Sequence, residues 1–354
     1  MKTNIYRKIA ILTIVAALIV VAAYFMTKPT LYTFDSNYRT VMGTFARVVV
    51  VTTNKDNADA CIKAAFDQLE LVDNTMSTYK PDSQLSRVNT DGYPGPVPVG
   101  APLIEVLAKS IEFSELTGGA FDVTVGPIAD LYENAGKTGI APTDQQIAQA
   151  RAKVGFEKLI LDEDNATVSF AVPGMKIVLG GIAKGYAIDK ALQAVHDSGA
   201  TGAMVDVGGD IRCFGPAPKG KDLWKIGLQD PAIEQEDNIM AGRSLIVLAF
   251  TDTAVTTSGD YRRFVLLDGK RYSHIINRDT SSSARGLSSV TIIGPNATDA
   301  DALATAVTVM GPEKGLALIE TIPQTEAILI LSDKPGELIK TSGADQFIII
   351  TKPE

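Results

Sequence analysis

With 354 residues, 45% of them hydrophobic, and a mean hydropathy of +0.12, the chain can bury a large core in one large domain or two ordinary ones, which excludes a disordered or fibrous protein. Residues 1–30 hold four basic residues and no acidic one, so the remainder sets 29 basic against 41 acidic side chains, a net −12 that argues against nucleic acid and anionic surfaces as partners. Two cysteines and two histidines argue against a four-ligand structural zinc site. Cys61 and Cys213 have the option of pairing in an oxidising compartment.

The N-terminus reads MKTNIYRK, then IAILTIVAALIVVAAYFM, 18 residues from Ile9 to Met26 without a charge. This is a membrane or export segment. Lys2, Arg7 and Lys8 keep its start cytoplasmic, so the rest of the chain is expected on the extracytoplasmic (periplasmic) side of the cell inner membrane. The run is read as an uncleaved anchor within residues 1–30, with VAA ending at Ala23 as the alternative cleavage site. No cysteine near residue 26 offers a lipid attachment.

Residues 27–44, TKPTLYTFDSNYRTVMGT, read as a linker into the strand FARVVVVT, and residues 57–74 carry helical periodicity through Ala60, Ala64 and Leu71. STYKPDSQLSRVN (77–89) reads as a polar loop and DGYPGPVPV (91–99) as a surface turn. PLIEVLAKSIEFSELT (102–117) predicts an amphipathic helix stopped at Gly118 and Gly119. NAGKTG (134–139) is no P-loop, because the first glycine of that motif falls on Leu131. KLILDEDNATVSF (158–170) and MKIVLG (175–180) are weak strands.

In VLGGIAKGYAIDKALQAV (178–195), Ile182, Tyr186, Ala187, Leu192 and Val195 recur at helical spacing, which puts Lys184 in the first turn of a helix opened by two glycines. A cation is mildly unfavourable there and an anion welcome, so the segment reads either as a phosphate-sized anion site or as a tight turn whose lysine reaches into water. His196 falls at the far end and complements the dipole. DSGAT (197–201) is a helix stop at Gly199. GAMVDVGGDIRCFG (202–215) reads as a strand broken by two glycines.

YRRFVLLDGKRYSHIIN (261–277) predicts a hairpin about Asp268-Gly269, with Tyr272, His274 and Ile276 on one face. GPNATDADALATAVTVMG (294–311) predicts a helix capped by Thr298. On that helix Asp301 and Thr305, four residues apart, share a face and offer hard oxygens suited to Mg²⁺; the alternative is that Asp301 only supports the helix start. His274 has the chemistry of a general base, although an isolated strand histidine is more often structural. Hairpins mixed with helices give an α+β pattern.

Seven of these stretches, in order, resemble the ApbE family of FAD:protein FMN transferases: MGT (42–44), MSTYKPDSQLSRVN (76–89), TGGAFDVTVGPI (117–128), LGGIAKGYAIDKA (179–191), VDVGGDIRCFG (205–215), TSGDYRRFVLLDGKRYSHIINRDT (257–280) and DADALATAVTVMG (299–311). The resemblance implies a flavin transferase domain over residues 31–354, an α+β duplication of tunnelling-fold (T-fold) units with FAD in a cleft between them. It also implies a Mg²⁺-dependent reaction that joins the FMN half of FAD to a threonine or serine hydroxyl of an acceptor protein and releases AMP. A membrane redox pump subunit is the kind of acceptor the family suggests.

By the same resemblance the metal falls to the backbone carbonyl of Ala183 with Asp301 and Thr305. FAD contacts fall to Met42, Ser77, Thr78, Tyr79, Asp122, Lys184 and Ile275. His274 is the candidate acceptor of the hydroxyl proton, and Asp301 the next candidate for that role. The rival readings are a Mg²⁺-dependent FAD pyrophosphatase using water at the same site and a non-catalytic flavin-binding protein at the membrane.

Overall fold

The computed structural model describes residue 6 and residues 11–16, 30–231, 244–259, 264–267, 270–334 and 336–351. Of the apolar run, residues 11–16 are helical and exposed, and the rest lies outside the described residues. Among the described residues no helix is long and apolar enough to cross a membrane.

Nine strands form an antiparallel sheet: β1 (Tyr32–Asp35), β2 (Arg39–Val41), β3 (Thr44–Thr52), β4 (Gly202–Val207), β5 (Asp210–Phe214), β6 (Ala254–Gly259), β7 (Leu287–Gly294), β8 (Glu326–Leu331) and β9 (Leu338–Lys340). Their spatial order is β1-β3-β4-β5-β6-β7-β8-β9, with β2 also on β3. The helices are α1 (Lys55–Met76), α2 (Gln84–Asp91), α3 (Ala101–Leu116), α4 (Gly126–Thr138), α5 (Asp144–Arg151), α6 (Ala183–Asp197), α7 (Ala297–Met310) and α8 (Pro312–Ile319). One arrangement occurs twice: the hairpin β2–β3, helices α1 to α6, then β4–β5; and the hairpin β6–β7, helices α7 and α8, then β8–β9.

The valine run of β3 follows from burial on both faces, which removes the need for polar alternation. Ala46, Val48 and Val50 face the core shared with α1, α6 and α7. Val49 and Val51 face a second core under a small sheet of Trp224–Gln229, Ser244–Phe250 and Ile348–Thr351. Helix α1 starts where Asn54 accepts a hydrogen bond from the Asn57 amide at 2.9 Å, and it buries Ala58, Cys61, Ile62, Ala65, Phe66 and Leu69 on one stripe. A third cluster joins α4 and α5 to the hairpin Phe264–Leu267/Lys270–Ser273 through Ile128, Tyr132 and Leu267. The expected Asp268-Gly269 turn lies outside the described residues, between the paired Leu267 and Lys270.

Several expectations are corrected. The linker holds β1 and β2, because residues 32–35 extend the edge of the valine strand through backbone hydrogen bonds. The polar loop contains α2, started by the Ser83 hydroxyl, which accepts from the Ser86 amide at 3.0 Å. The turn 91–99 includes a short strand, Val97–Pro98, against Thr167–Phe170. Residues 175–180 form no strand: only an isolated bridge joins Lys176 to Val125, and the Ile177 amide donates to the Asn89 side chain at 2.7 Å. The broken strand is the hairpin β4–β5, which turns at Gly208 and Gly209, φ +65° and +89°. Cys61 and Cys213 are free thiols buried in different cores on opposite faces of the sheet.

Candidate active site

A cleft of about 1560 Å³ opens between the sheet, the starts of α6 and α7 and the Phe264–Ser273 hairpin. It exceeds the roughly 300–1,000 Å³ typical of a drug-sized site, a size suited to a dinucleotide. All eleven candidate residues line it, although they come from six separate segments. Met42 occupies the β2–β3 turn with a left-handed backbone, φ +54°, the kind of strain that clusters at ligand clamps. Ser77, Thr78 and Tyr79 follow the end of α1; the Ser77 hydroxyl accepts from the Tyr79 amide at 3.3 Å, and the Tyr79 ring is 78% exposed.

The floor of the cleft is where α6 and α7 touch. The Gly185 amide, in the first turn of α6, donates to Asp301 Oδ2 at 3.0 Å, and Lys184 Nζ lies 3.8 Å from Asp301 Oδ1. A Cβ on Gly185 would meet the Ala297 carbonyl oxygen at 2.1 Å, and one on Gly181 would meet Thr305 Oγ1 at 2.7 Å. The two glycines therefore serve close helix approach. Thr305 Oγ1 and Ser258 Oγ are 3.5 Å apart. Asp301 is 3% exposed; burial pushes its carboxyl above the usual range, and Lys184 opposes that shift.

Lys184 also pairs with Asp210, a fully buried carboxylate at the start of β5 whose Oδ1 accepts from the Thr257 amide at 2.9 Å. The cation at a helix N-terminus is therefore offset by two carboxylates, and the reading of Lys184 as a lysine simply reaching into water does not hold. Sequence reasoning passed over Asp210, although an acidic residue next to two glycines in an otherwise apolar strand run signals a buried charge in need of a partner. Ser258, inside a quoted stretch, was missed as well.

Helix α7 is capped by Asn296, not Thr298: Asn296 Oδ1 accepts from the Asp299 amide at 2.8 Å. Asp299 thus fills the helix-start role, and Asp301, two residues on, turns to α6 instead. The Ala297 and Thr298 amides, both at 2.9 Å, and the Thr298 hydroxyl at 2.5 Å donate to the Asp189 carboxylate of α6, which also accepts from Arg212 at 2.7 Å. One side chain of α6 therefore caps α7 and sets the helix contact that brings Asp301 to Gly185.

Asp122 lines the wall, but its oxygens are engaged by Thr124 (2.8 Å from the amide, 2.6 Å from the hydroxyl), the Phe156 amide (3.1 Å) and Arg278 (2.8 Å). Its carboxylate braces the wall. Ile275 is buried and His274 exposed. His274 sits on a bend between the strands 270–273 and 276–277 and not on the hairpin strand, so the alternation expected for Tyr272, His274 and Ile276 ends at Ser273. Tyr272 stacks on Tyr132, centroids 5.3 Å apart, and fixes the hairpin against α4. His196 lies in the last turn of α6 against Phe214, and Thr201, beyond that end, does not line the cleft.

Among the described residues no group of three His, Cys, Asp or Glu forms a metal centre. The oxygens gathered at the floor, a buried carboxylate with two hydroxyls beside a helix start, suit a hard cation that keeps several waters, and so fit Mg²⁺.

The ApbE family model matches residues 42–329. The chain is 34% identical over 290 residues to the FAD:protein FMN transferase of Haemophilus influenzae, covering 80% of this chain and 82% of the relative. It is 35% identical over 272 residues to that of Vibrio cholerae, covering 76% and 78%. Among solved structures it is similar to the ApbE protein of Thermotoga maritima (TM-score 0.78, 31% identity, covering 90% of this chain and 99% of that one) and to the flavin transferase ApbE of Vibrio cholerae (0.78, 30%, 90% and 100%).

Proposed function

The chain belongs to the ApbE family of FAD:protein FMN transferases, and on that premise we propose that it transfers the FMN moiety of FAD to a threonine or serine hydroxyl of an acceptor protein, with Mg²⁺ bound and AMP released. The observation that carries the reading is the cleft floor, where Lys184, the Gly185 amide, Asp301 and Thr305 converge from two helices. A pyrophosphate calls for positive charge of the kind that Lys184 supplies at this helix start. Asp301, Thr305 and the Ala183 carbonyl would hold the metal, which when bound neutralises phosphate charge and polarises the phosphorus.

In this mechanism the cleft walls bind and orient FAD, with the exposed face of Tyr79 available to an aromatic ring and Met42, Ser77, Thr78, Asp122 and Ile275 shaping the wall. Lys184 balances the charge of the pyrophosphate. His274 takes the proton from the acceptor hydroxyl as its oxygen forms a bond to the phosphorus of the FMN half. The bond from that phosphorus to the oxygen shared with AMP breaks, and AMP leaves with the electron pair. Catalysis of this kind is mostly positioning and charge stabilisation.

We further read the twofold occurrence of hairpin, helices and hairpin in the sheet as the T-fold duplication. The charge-free run after Lys2, Arg7 and Lys8 supports an inner-membrane anchor and an extracytoplasmic catalytic domain, and the family resemblance suggests a membrane redox pump subunit as acceptor. The test incubates the protein with FAD and candidate acceptors, with Mg²⁺ or with a chelator. AMP release together with flavin fluorescence on the acceptor, both lost with chelator, is expected; free FMN without acceptor labelling identifies a pyrophosphatase, and intact FAD a binding protein.

A further inference from the structure

Arg278 has no part in the mechanism above, and it fills a socket shaped for a planar cation. Its Nη1 donates to Asp122 Oδ2 at 2.8 Å and lies 3.4 Å from Glu157 Oε2, and its guanidinium carbon sits 5.3 Å from the centre of the Phe156 ring. Gly119, φ +84°, completes the socket: a Cβ there would meet the guanidinium carbon at 2.5 Å. Asp122 is held from its own side, because the Thr124 amide and hydroxyl and the Phe156 amide donate to the same carboxylate. What the arginine fixes is therefore the segment it comes from. That segment carries His274. Ile276–Asn277 pair with Ser282–Ser283, the Ser283 hydroxyl donates to the Ser273 carbonyl at 2.6 Å, and the Ala284 amide donates to the Ile275 carbonyl at 2.9 Å. Asn277 Oδ1 accepts from the Asp279 and Thr280 amides at 2.9 and 3.1 Å and closes the turn from which Arg278 projects. Residues 273–284 are thus braced as one body. The Tyr132 hydroxyl donates to the Ser281 carbonyl at 3.1 Å, and Ile276 shares a buried cluster with Ile128 and Tyr132, which pins one side of this body to α4. A body pinned on one side can pivot; the Arg278–Asp122 tie, made to a different segment of the wall, opposes the pivot.

We propose that Arg278 is a positioning residue for His274: its grip on Asp122 fixes the angle at which residues 273–284 present the imidazole to the cleft. The inference rests on the proposed role of His274 as acceptor of the hydroxyl proton. Proton transfer needs heavy atoms within about 2.6–3.2 Å, so a pivot that shifts the ring by about 1 Å costs on the order of 10²-fold in rate. The same shift costs far less at an apolar contact such as Ile275, because burial of apolar surface has no direction.

The experiment measures AMP release at saturating FAD and Mg²⁺, with an acceptor chain that the wild type labels, beside FAD affinity by flavin fluorescence. The full-length variants are Arg278→Gln, Arg278→Lys, His274→Asn and each arginine variant combined with His274→Asn, with thermal unfolding as a check on folding. Arg278→Gln is expected to slow turnover by about 10- to 100-fold with FAD affinity nearly unchanged. Arg278→Lys, which keeps the charge and loses the fork, is expected to fall in between. In the His274→Asn background either arginine change is expected to cost less than about threefold, because residues that act as a unit are not additive. Equal fold-losses in both backgrounds, an unchanged rate, or FAD affinity falling as far as the rate overturns the proposal. If Arg278→Gln does not fold, the lysine pair of variants decides by the same comparison, and a full rate for Arg278→Lys then overturns it. A full rate for His274→Asn alone removes the proton-acceptor reading and the inference with it, and is recognised by that single variant.

Discussion

Asp301 shows how one carboxylate changes meaning with its neighbours. Three residues beyond Thr298 it looks like a helix-start acid, yet the cap at Asn296 gives that task to Asp299. Asp301→Ala is expected to abolish Mg²⁺-dependent AMP release and leave a folded protein, because the proposed metal ligand is lost while the helix keeps its cap. Calorimetry with Mg²⁺ and a melting curve measure the two effects; normal turnover with only a lower midpoint would return Asp301 to a structural role. For His274, on an exposed bend at the cleft, substitution by Asn is expected to slow transfer by about 10² to 10⁴ with FAD affinity nearly unchanged, since a general base acts in the transition state. Flavin fluorescence titration beside AMP release checks it; equal losses in affinity and rate would make His274 a binding residue.

At the scale of elements, the site depends on how closely α6 and α7 approach. Gly185→Ala drives a methyl group into the Ala297 carbonyl, and overpacking of this kind costs about 1–3 kcal/mol. We expect a lower melting temperature and, because Asp301 moves with α7, weaker Mg²⁺ binding; a variant with wild-type values in both would contradict the described packing. Asp189→Ala removes the acceptor for two α7 amides and a hydroxyl, an expected loss of roughly 1–2 kcal/mol in urea unfolding. The continuous apolar run of β3 and the apolar stripes of α1, α3 and α6 were legible in the sequence. So was the face shared by Asp301 and Thr305. The strands β1 and β2, four and three residues long, carry no period of their own and exist because β3 offers an edge. The Asp189 cap and the Asp210–Lys184 pair join residues 108 and 26 apart in sequence, beyond what local pattern registers.

For the whole molecule, a continuous sheet with helices on one face and a small sheet on the other puts Cys61 and Cys213 in separate cores. Burial pushes the Cys213 thiol up to about 12 and raises that of Cys61. Both are therefore expected to resist alkylation at pH 8 in the native protein and to react on unfolding, with no mass change on reduction; a two-dalton shift would contradict the fold. Every candidate residue lies on the cleft and none precedes Met42, so a protein beginning at residue 31 is expected to be soluble and to turn over FAD at the full-length rate.

The central claim is group transfer to a protein, and the mass of the acceptor tests it most directly. After incubation of an acceptor with this protein, FAD and Mg²⁺, tandem mass spectrometry is expected to find FMN esterified through its phosphate to a single threonine or serine, with one AMP released per modified chain. An unmodified acceptor alongside stoichiometric free FMN and AMP would contradict it.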